Sequence, residues 1–194
     1  MKWELKEIRQ ETNHKFLNFF TLKYLVDNKP YSYFMASRKS KDSLYAICKS
    51  NRPDGVLIPC YYIDKNNEVS ILLTSQFRPA VNRIITSIPA GLIDGDEDIF
   101  ECAKREALEE VGVVIEDLEL LCPPSFSSTG LSDEANAVVL ARIVEFKNNS
   151  LEEFEDISSR LVSLKEIKNM YDDDRYSIPT NVRLIIKYLL ERFK

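Results

Sequence analysis

Gly91-Leu-Ile-Asp-Gly-Asp-Glu97-Asp-Ile-Phe-Glu-Cys-Ala-Lys-Arg105-Glu106-Ala-Leu-Glu109-Glu110-Val-Gly112-Val113 is a glycine-started loop that feeds a helix ending in a cluster of charge. Glu106, Glu109 and Glu110 are three and four positions apart, so on a helix their side chains meet on one face. Like charges so arranged repel by roughly 0.2–0.5 kcal/mol per pair, and a chain that packs three together has something positive to hold. Clustered carboxylate oxygens suit a hard divalent cation such as Mg²⁺ or Mn²⁺. A solvated acidic face is the plain alternative, and the neighbours weigh against it. Asp98 with Glu101 predicts an N-cap and capping box, and Gly112 a left-handed stop, for a helix over Glu97 to Val111. Phe100, Ala103, Ala107, Leu108 and Val111 form a separate apolar stripe expected to face the core.

These residues resemble the Nudix box, Gly-x5-Glu-x7-Arg-Glu-U-x-Glu-Glu-x-Gly-U with U apolar. Every fixed position is met, by Gly91, Glu97, Arg105, Glu106, Ala107, Glu109, Glu110, Gly112 and Val113. The resemblance implies an α+β Nudix fold, a mixed sheet sandwiched between helices, that hydrolyses a nucleoside diphosphate linked to another moiety with Mg²⁺, Mn²⁺ being the alternative metal. It implies Glu106, Glu109, Glu110 and the Ala90 carbonyl as metal ligands. Arg105 is expected to orient the glutamates and Glu97 to steady the loop or an outer-shell water.

At 194 residues the chain is long enough for a real core. Its net charge of −5 argues against a nonspecific nucleic-acid binder, which needs a basic face to release counterions. Cys48, Cys60, Cys102 and Cys122 are widely spaced and make no paired ligand motif; they are expected as reduced thiols. Met1 to Asn13 is too charged for a signal peptide, and no apolar run approaches the roughly twenty residues of a membrane span. A cytoplasmic protein without membrane or nucleic-acid partners is expected. His14, the single histidine, reads as a surface residue.

Aromatic and β-branched residues predict hairpins of Lys15 to Val26 with Pro30 to Ser37, and of Gly55 to Ile63 with Glu68 to Phe77 around Asp64-Lys65-Asn66-Asn67. Further strands are expected at Arg83 to Ile88, Asp117 to Cys122 and Ala135 to Glu145, the last two flanking a long loop. Helices are expected at Leu164 to Met170 and at Thr180 to Phe193, with Thr180 as cap. The resemblance covers about residues 55 to 190. Residues 1–50 read as an added β subdomain and 51–194 as the catalytic domain.

The flanks are similar to the ADP-ribose pyrophosphatase branch: Gln76-Phe77-Arg78-Pro79, then Ser87-Ile88-Pro89-Ala90-Gly91-Leu92-Ile93-Asp94. Arg78 either offers a planar fork to a diphosphate or is a surface arginine beside a turn. Tyr33-Phe34-Met35-Ala36-Ser37-Arg38 resembles the stretch with which the branch contacts adenine and phosphate. Tyr33 and Phe34 either stack on a base or pack in a strand, and Arg38 is expected near phosphate. Trp3 is a candidate lid. The loop Ser128-Thr129-Gly130-Leu131-Ser132-Asp133-Glu134 is similar to the branch's Pro-Gly-x-Ser-x-Glu loop, which implies Glu134 as general base, with Leu131 and Gly91 as substrate contacts. Two positions depart: Thr129 replaces a proline, and Ser87 a glutamate. The branch implies hydrolysis of ADP-ribose to AMP and ribose 5-phosphate, and a homodimer built through the N-terminal element. Another nucleotide sugar such as GDP-mannose, or a non-catalytic nucleotide sensor, are the alternatives.

Overall fold

The computed structural model describes residues 1–50, 52–151 and 156–194. The chain forms two compact units, Met1–Asp54 with Pro124–Asn136, and Gly55–Pro123 with Ala137–Lys194. The domain boundary expected after residue 50 abuts residue 51, which lies outside the described residues.

The first unit is built on an antiparallel sheet of β1 (Trp3–Gln10), β2 (Asn18–Val26) and β3 (Lys29–Ser37), in that order. The β2–β3 hairpin is as expected, with a tighter turn. Asp27 and Asn28 both take positive φ, 48° and 67°, matching the right-handed strand twist. The strand β1 lies in the stretch read as merely charged; its alternation is masked because only Ile8 is buried along it. Ile8, Phe20, Leu22, Met35 and Leu44 form this unit's core. Leu44 precedes the single-turn helix α1 (Tyr45–Cys48).

The second unit carries most of a mixed eight-stranded sheet. Its members are β4 (Gly55–Leu57), β5 (Cys60–Ile63), β6 (Val69–Arg78), β7 (Arg83–Ser87), β8 (Ala90–Leu92), β9 (Val113–Phe126), β10 (Ala135–Phe146) and β11 (Ile157–Ser163). The order is β11-β6-β5-β10-β4-β8, with β7 on β6 and β9 on β10. β10 runs parallel to β5, and β5, β7 and β11 run antiparallel to β6.

The expected strand Gly55 to Ile63 is broken in two, since Pro59 cannot donate to the ladder. Ile58 instead donates to the Pro89 carbonyl at 2.8 Å. The expected Asp117 to Cys122 strand is longer and starts directly after the helix stop. Two strands, β8 and β11, were not expected. β8 is only three residues long, and β11 alternates little in polarity.

The helices are α2 (Ile99–Val111), α3 (Leu164–Tyr171) and α4 (Thr180–Arg192). Alternate strand residues serve opposite sheet faces. Leu72, Val139, Ala141 and Ile143 pack with Cys102, Ala103, Ala107 and Val111 of α2. Ile71, Leu73 and Leu140 pack with Ile167, Met170, Val182, Ile186 and Leu189 of α3 and α4. The helix-sheet-helix sandwich is therefore as expected. Each fully buried leucine or isoleucine in it contributes about 1.5–3 kcal/mol of transfer free energy.

Several helix details differ. Asp98 caps α2 by accepting from the Phe100 amide at 2.8 Å, while Glu101 pairs with Lys104 at 2.8 Å, so the helix starts at Ile99. Leu108 is 39% exposed and lies off the buried stripe, its place taken by Cys102. At α4 the cap position belongs to Pro179, and Thr180 is the first helical residue, because the fixed proline φ already suits a helix entry. No helix among the described residues is long and apolar enough to cross a membrane.

Candidate active site

Gly112 sets where α2 stops. Its φ of +65° is the left-handed conformation, and its amide reaches the Leu108 carbonyl at 3.0 Å. The helix thus delivers Arg105, Glu106, Glu109 and Glu110 in its last two turns, beside β8.

Glu106 and Glu110 both meet that strand. Glu110 Oε2 accepts from the Ala90 amide at 3.1 Å. Gly91 makes room for Glu106: a Cβ there would stand 1.8 Å from the Glu106 carboxyl carbon. Only a residue without a side chain lets this carboxylate lie against the strand.

Arg105 ties the cluster together. Its Nε and Nη2 donate to the two oxygens of Glu97, each at 2.9 Å, in a forked pair. Nη1 donates to Glu106 Oε1 at 2.8 Å and to Glu109 Oε2 at 3.0 Å, and Nη2 also reaches the Leu92 carbonyl at 3.0 Å. The Glu97 carboxylate also accepts from the Asp94 amide at 3.3 Å. With the Arg105 guanidinium first among the causes, Glu97 is held down to about 2. The reciprocal carboxylate bonds raise Arg105 further above its ordinary value. Behind them Cys102 is pushed up to about 12 by burial and by the Glu97 charge.

Among the described residues, no three His, Cys, Asp or Glu side chains are already closed into a metal-binding group. The carboxylates are arranged about the Arg105 cation instead. The donor set is all oxygen, and the glycine cradle leaves Glu106 beside Glu110 on β8; both features fit a hard divalent ion.

A family model for the NUDIX domain matches residues 52–180. The chain belongs to the Nudix family. Members generally use divalent metal ions, in keeping with this donor set. The Nudix domain is similar to ADP-ribose pyrophosphatase of Saccharomyces cerevisiae, 38% identical over 81 residues, which are 40% of this chain and 35% of that protein. It is also similar to the methanol dehydrogenase activator of Bacillus methanolicus, 34% identical over 116 residues, 55% of this chain and 61% of that one. The chain thus spans about a third to three fifths of the length of these relatives. A solved structure described as an ADP compounds hydrolase superposes with a TM-score of 0.71, over 99% of this chain and 96% of that one. At 14% identity that likeness shows the fold alone.

The other candidate residues fall in two places. Arg78 is in the second unit with the Nudix box. It lines a cavity of about 840 Å³ that Ala90 and Glu110 also line. Tyr33, Arg38, Leu131 and Glu134 belong to the first unit. There the Tyr33 hydroxyl donates to the Thr129 carbonyl at 3.0 Å, and Phe34 is exposed, stacked on Phe19 with ring centroids 6.0 Å apart. Leu131 accepts from the Ala36 amide at 2.9 Å. Glu134 Oε2 accepts from the Ser127 hydroxyl at 3.1 Å, a partner that sequence reasoning missed. Trp3 is half exposed and meets Tyr24 and Tyr31 edge-on. Arg83 was also missed. Its signal was available in the turn Pro79-Ala80-Val81-Asn82, which folds β7 back on β6 and sets Arg83 opposite Arg78.

Proposed function

We propose that this Nudix chain is a metal-dependent pyrophosphohydrolase of nucleoside diphosphate derivatives, with ADP-ribose as first substrate and AMP and ribose 5-phosphate as products. The observation that carries the reading is the convergence of Glu106 and Glu110 on Ala90 and Gly91, with Arg105 bridging Glu106 to Glu109 and Glu97. The similarity to the yeast enzyme over the matched segment supports the substrate.

Glu106, Glu109, Glu110 and the Ala90 carbonyl would hold the ion, taken as Mg²⁺ with Mn²⁺ as alternative. A divalent ion so held supplies charge neutralisation at the diphosphate oxygens and acidifies the attacking water. Arg105 keeps the glutamates oriented, and Glu97 anchors Arg105 to the loop. Glu134 takes the proton of the attacking water as general base, and Arg78 holds diphosphate oxygens. Tyr33, Arg38, Leu131 and Gly91 contact the substrate. The N-terminal β subdomain of residues 1–50 builds a homodimer. Exposed Phe16, Leu17, Phe19 and Phe34 offer apolar surface for it, and sedimentation velocity tests the assembly. A cytoplasmic location is proposed with it and is tested by cell fractionation.

The test is a panel of ADP-ribose, GDP-mannose and related compounds with Mg²⁺, read as phosphate released after phosphatase treatment. ADP-ribose is expected to turn over fastest, and Glu106→Gln to abolish turnover. Wild-type rates from Glu106→Gln would end the metal-hydrolase reading.

A further inference from the structure

Arg78 and Arg83 are direct partners across the antiparallel β6–β7 pair, and both line the cavity that Ala90 and Glu110 share. Like charges placed opposite one another in a sheet destabilise it. Neither guanidinium has a hydrogen-bond or ion-pair partner among the described residues. By contrast Arg9, Arg105, Arg142, Arg160, Arg175 and Arg192 each sit on a carboxylate. Among the described residues Glu110 is the one carboxylate of the lining, and it accepts from the Ala90 amide. The remaining polar lining, including Thr74, Gln76, Ser87 and Asn181, is neutral. A repelling cationic couple without a partner among the described residues, in a concave and mostly apolar surround, is suited to an anion.

We propose that Arg83 is a second substrate-binding arginine, and that with Arg78 it forms a two-guanidinium clamp for the phosphate groups of the substrate. The proposal rests on the pyrophosphohydrolase reading and adds to it a recognition element on the β7 strand. Two planar forks can each take two oxygens, which matches a diphosphate better than a lone point charge does. The start of α4 adds to the positive field. Its cap, Pro179, has no side-chain oxygen, the Val182 amide is met by Asn181 Oδ1 at 2.9 Å, and Pro179 and Asn181 line the same cavity. Apolar walls from Leu57, Ile85 and Ile178 leave room for the body of a nucleotide-sized ligand.

The test separates binding from turnover. Inorganic pyrophosphate is titrated calorimetrically into the full chain in EDTA. The wild type is expected to bind, Arg83→Met and Arg78→Met to bind at least tenfold more weakly, and Lys187→Met, an exposed charge on α4 outside the cavity, to bind as the wild type does. Both arginine variants are expected to melt at or above the wild-type temperature, because each removes a like-charge pair. Wild-type affinity in Arg83→Met, or no binding by the wild type, overturns the clamp. In turnover, Arg83→Met is expected to raise KM about tenfold with kcat within twofold. An equal effect on ADP-ribose and its 2′-phosphate derivative assigns the clamp to the diphosphate; an effect on the derivative alone assigns it to the ribose phosphate. Should no compound of the panel be hydrolysed, the pyrophosphohydrolase reading falls, while the pyrophosphate titration still decides the clamp.

Discussion

The Glu106 carboxyl group occupies the space that a side chain on Gly91 would need. A Cβ there would stand 1.8 Å from Glu106 Cδ and 2.1 Å from Oε1. Because the obstructed group is the end of a flexible side chain, Gly91→Ala is expected to fold with a stability change within about 0.5 kcal/mol. Glu106 would swing away from β8. Under its proposed role as a metal ligand, a displacement by about 1 Å is enough for roughly 100-fold loss of rate, so kcat should fall by that order while the urea midpoint holds.

Gly112 should behave in the opposite way. Its φ is +65°, and a Cβ would lie 2.4 Å from the Lys147 carbonyl oxygen, a backbone atom that cannot swing aside. Gly112→Ala is expected to cost more than about 1 kcal/mol in urea unfolding, with the activity of each folded molecule little changed.

Arg105→Lys should not be conservative. The guanidinium serves Glu97, Glu106, Glu109 and the Leu92 carbonyl at once, and an ammonium cannot hold that planar pattern. Under the proposed metal-holding role of Glu106 and Glu109, replacing the guanidinium that orients them should cost roughly 10–100-fold in metal affinity. The Mg²⁺ dependence of turnover, or Mn²⁺ binding by electron paramagnetic resonance, measures this.

Glu97 contributes a pH dependence of definite sign. Its carboxylate sits at about 2 in the fold, against 4.5 as the ordinary value. The unfolded chain therefore takes up this proton first, and the stabilisation is complete above about pH 4.5 and drains away toward pH 2. Glu97→Gln should flatten that part of the acid-unfolding curve, which circular dichroism at stepped pH would follow.

The cysteines should sort by exposure. Cys60 and Cys102 are buried and both pushed up to about 12, whereas Cys48 is exposed. Iodoacetamide at pH 8 is expected to label Cys48 first and to reach Cys60 and Cys102 only in denaturant, by peptide mass spectrometry.

The box was legible because its chemistry is local. Three- and four-residue spacings put Glu106, Glu109 and Glu110 on one helix face whatever the rest of the chain does, and Asp98 and Gly112 mark its ends through their own backbone preferences. The hairpin turn at Asp27-Asn28 was legible for the same reason. Leu108 was misassigned because a helical period cannot say how wide a stripe the sheet will cover. The strands β1, β8 and β11 were missed because their polarity depends on which face a neighbouring strand leaves open.

What the sequence by itself determined is the α2 unit, its carboxylates, and with them membership of the Nudix family, since these rest on contacts within about one turn of chain. Only the tertiary structure decided that Gly91 is a seat for Glu106, that Arg105 reaches back to Glu97 and Leu92, and that Arg83 faces Arg78. Each of those relations depends on where the backbone brings distant segments together, through strand register and helix docking, which no local spacing encodes.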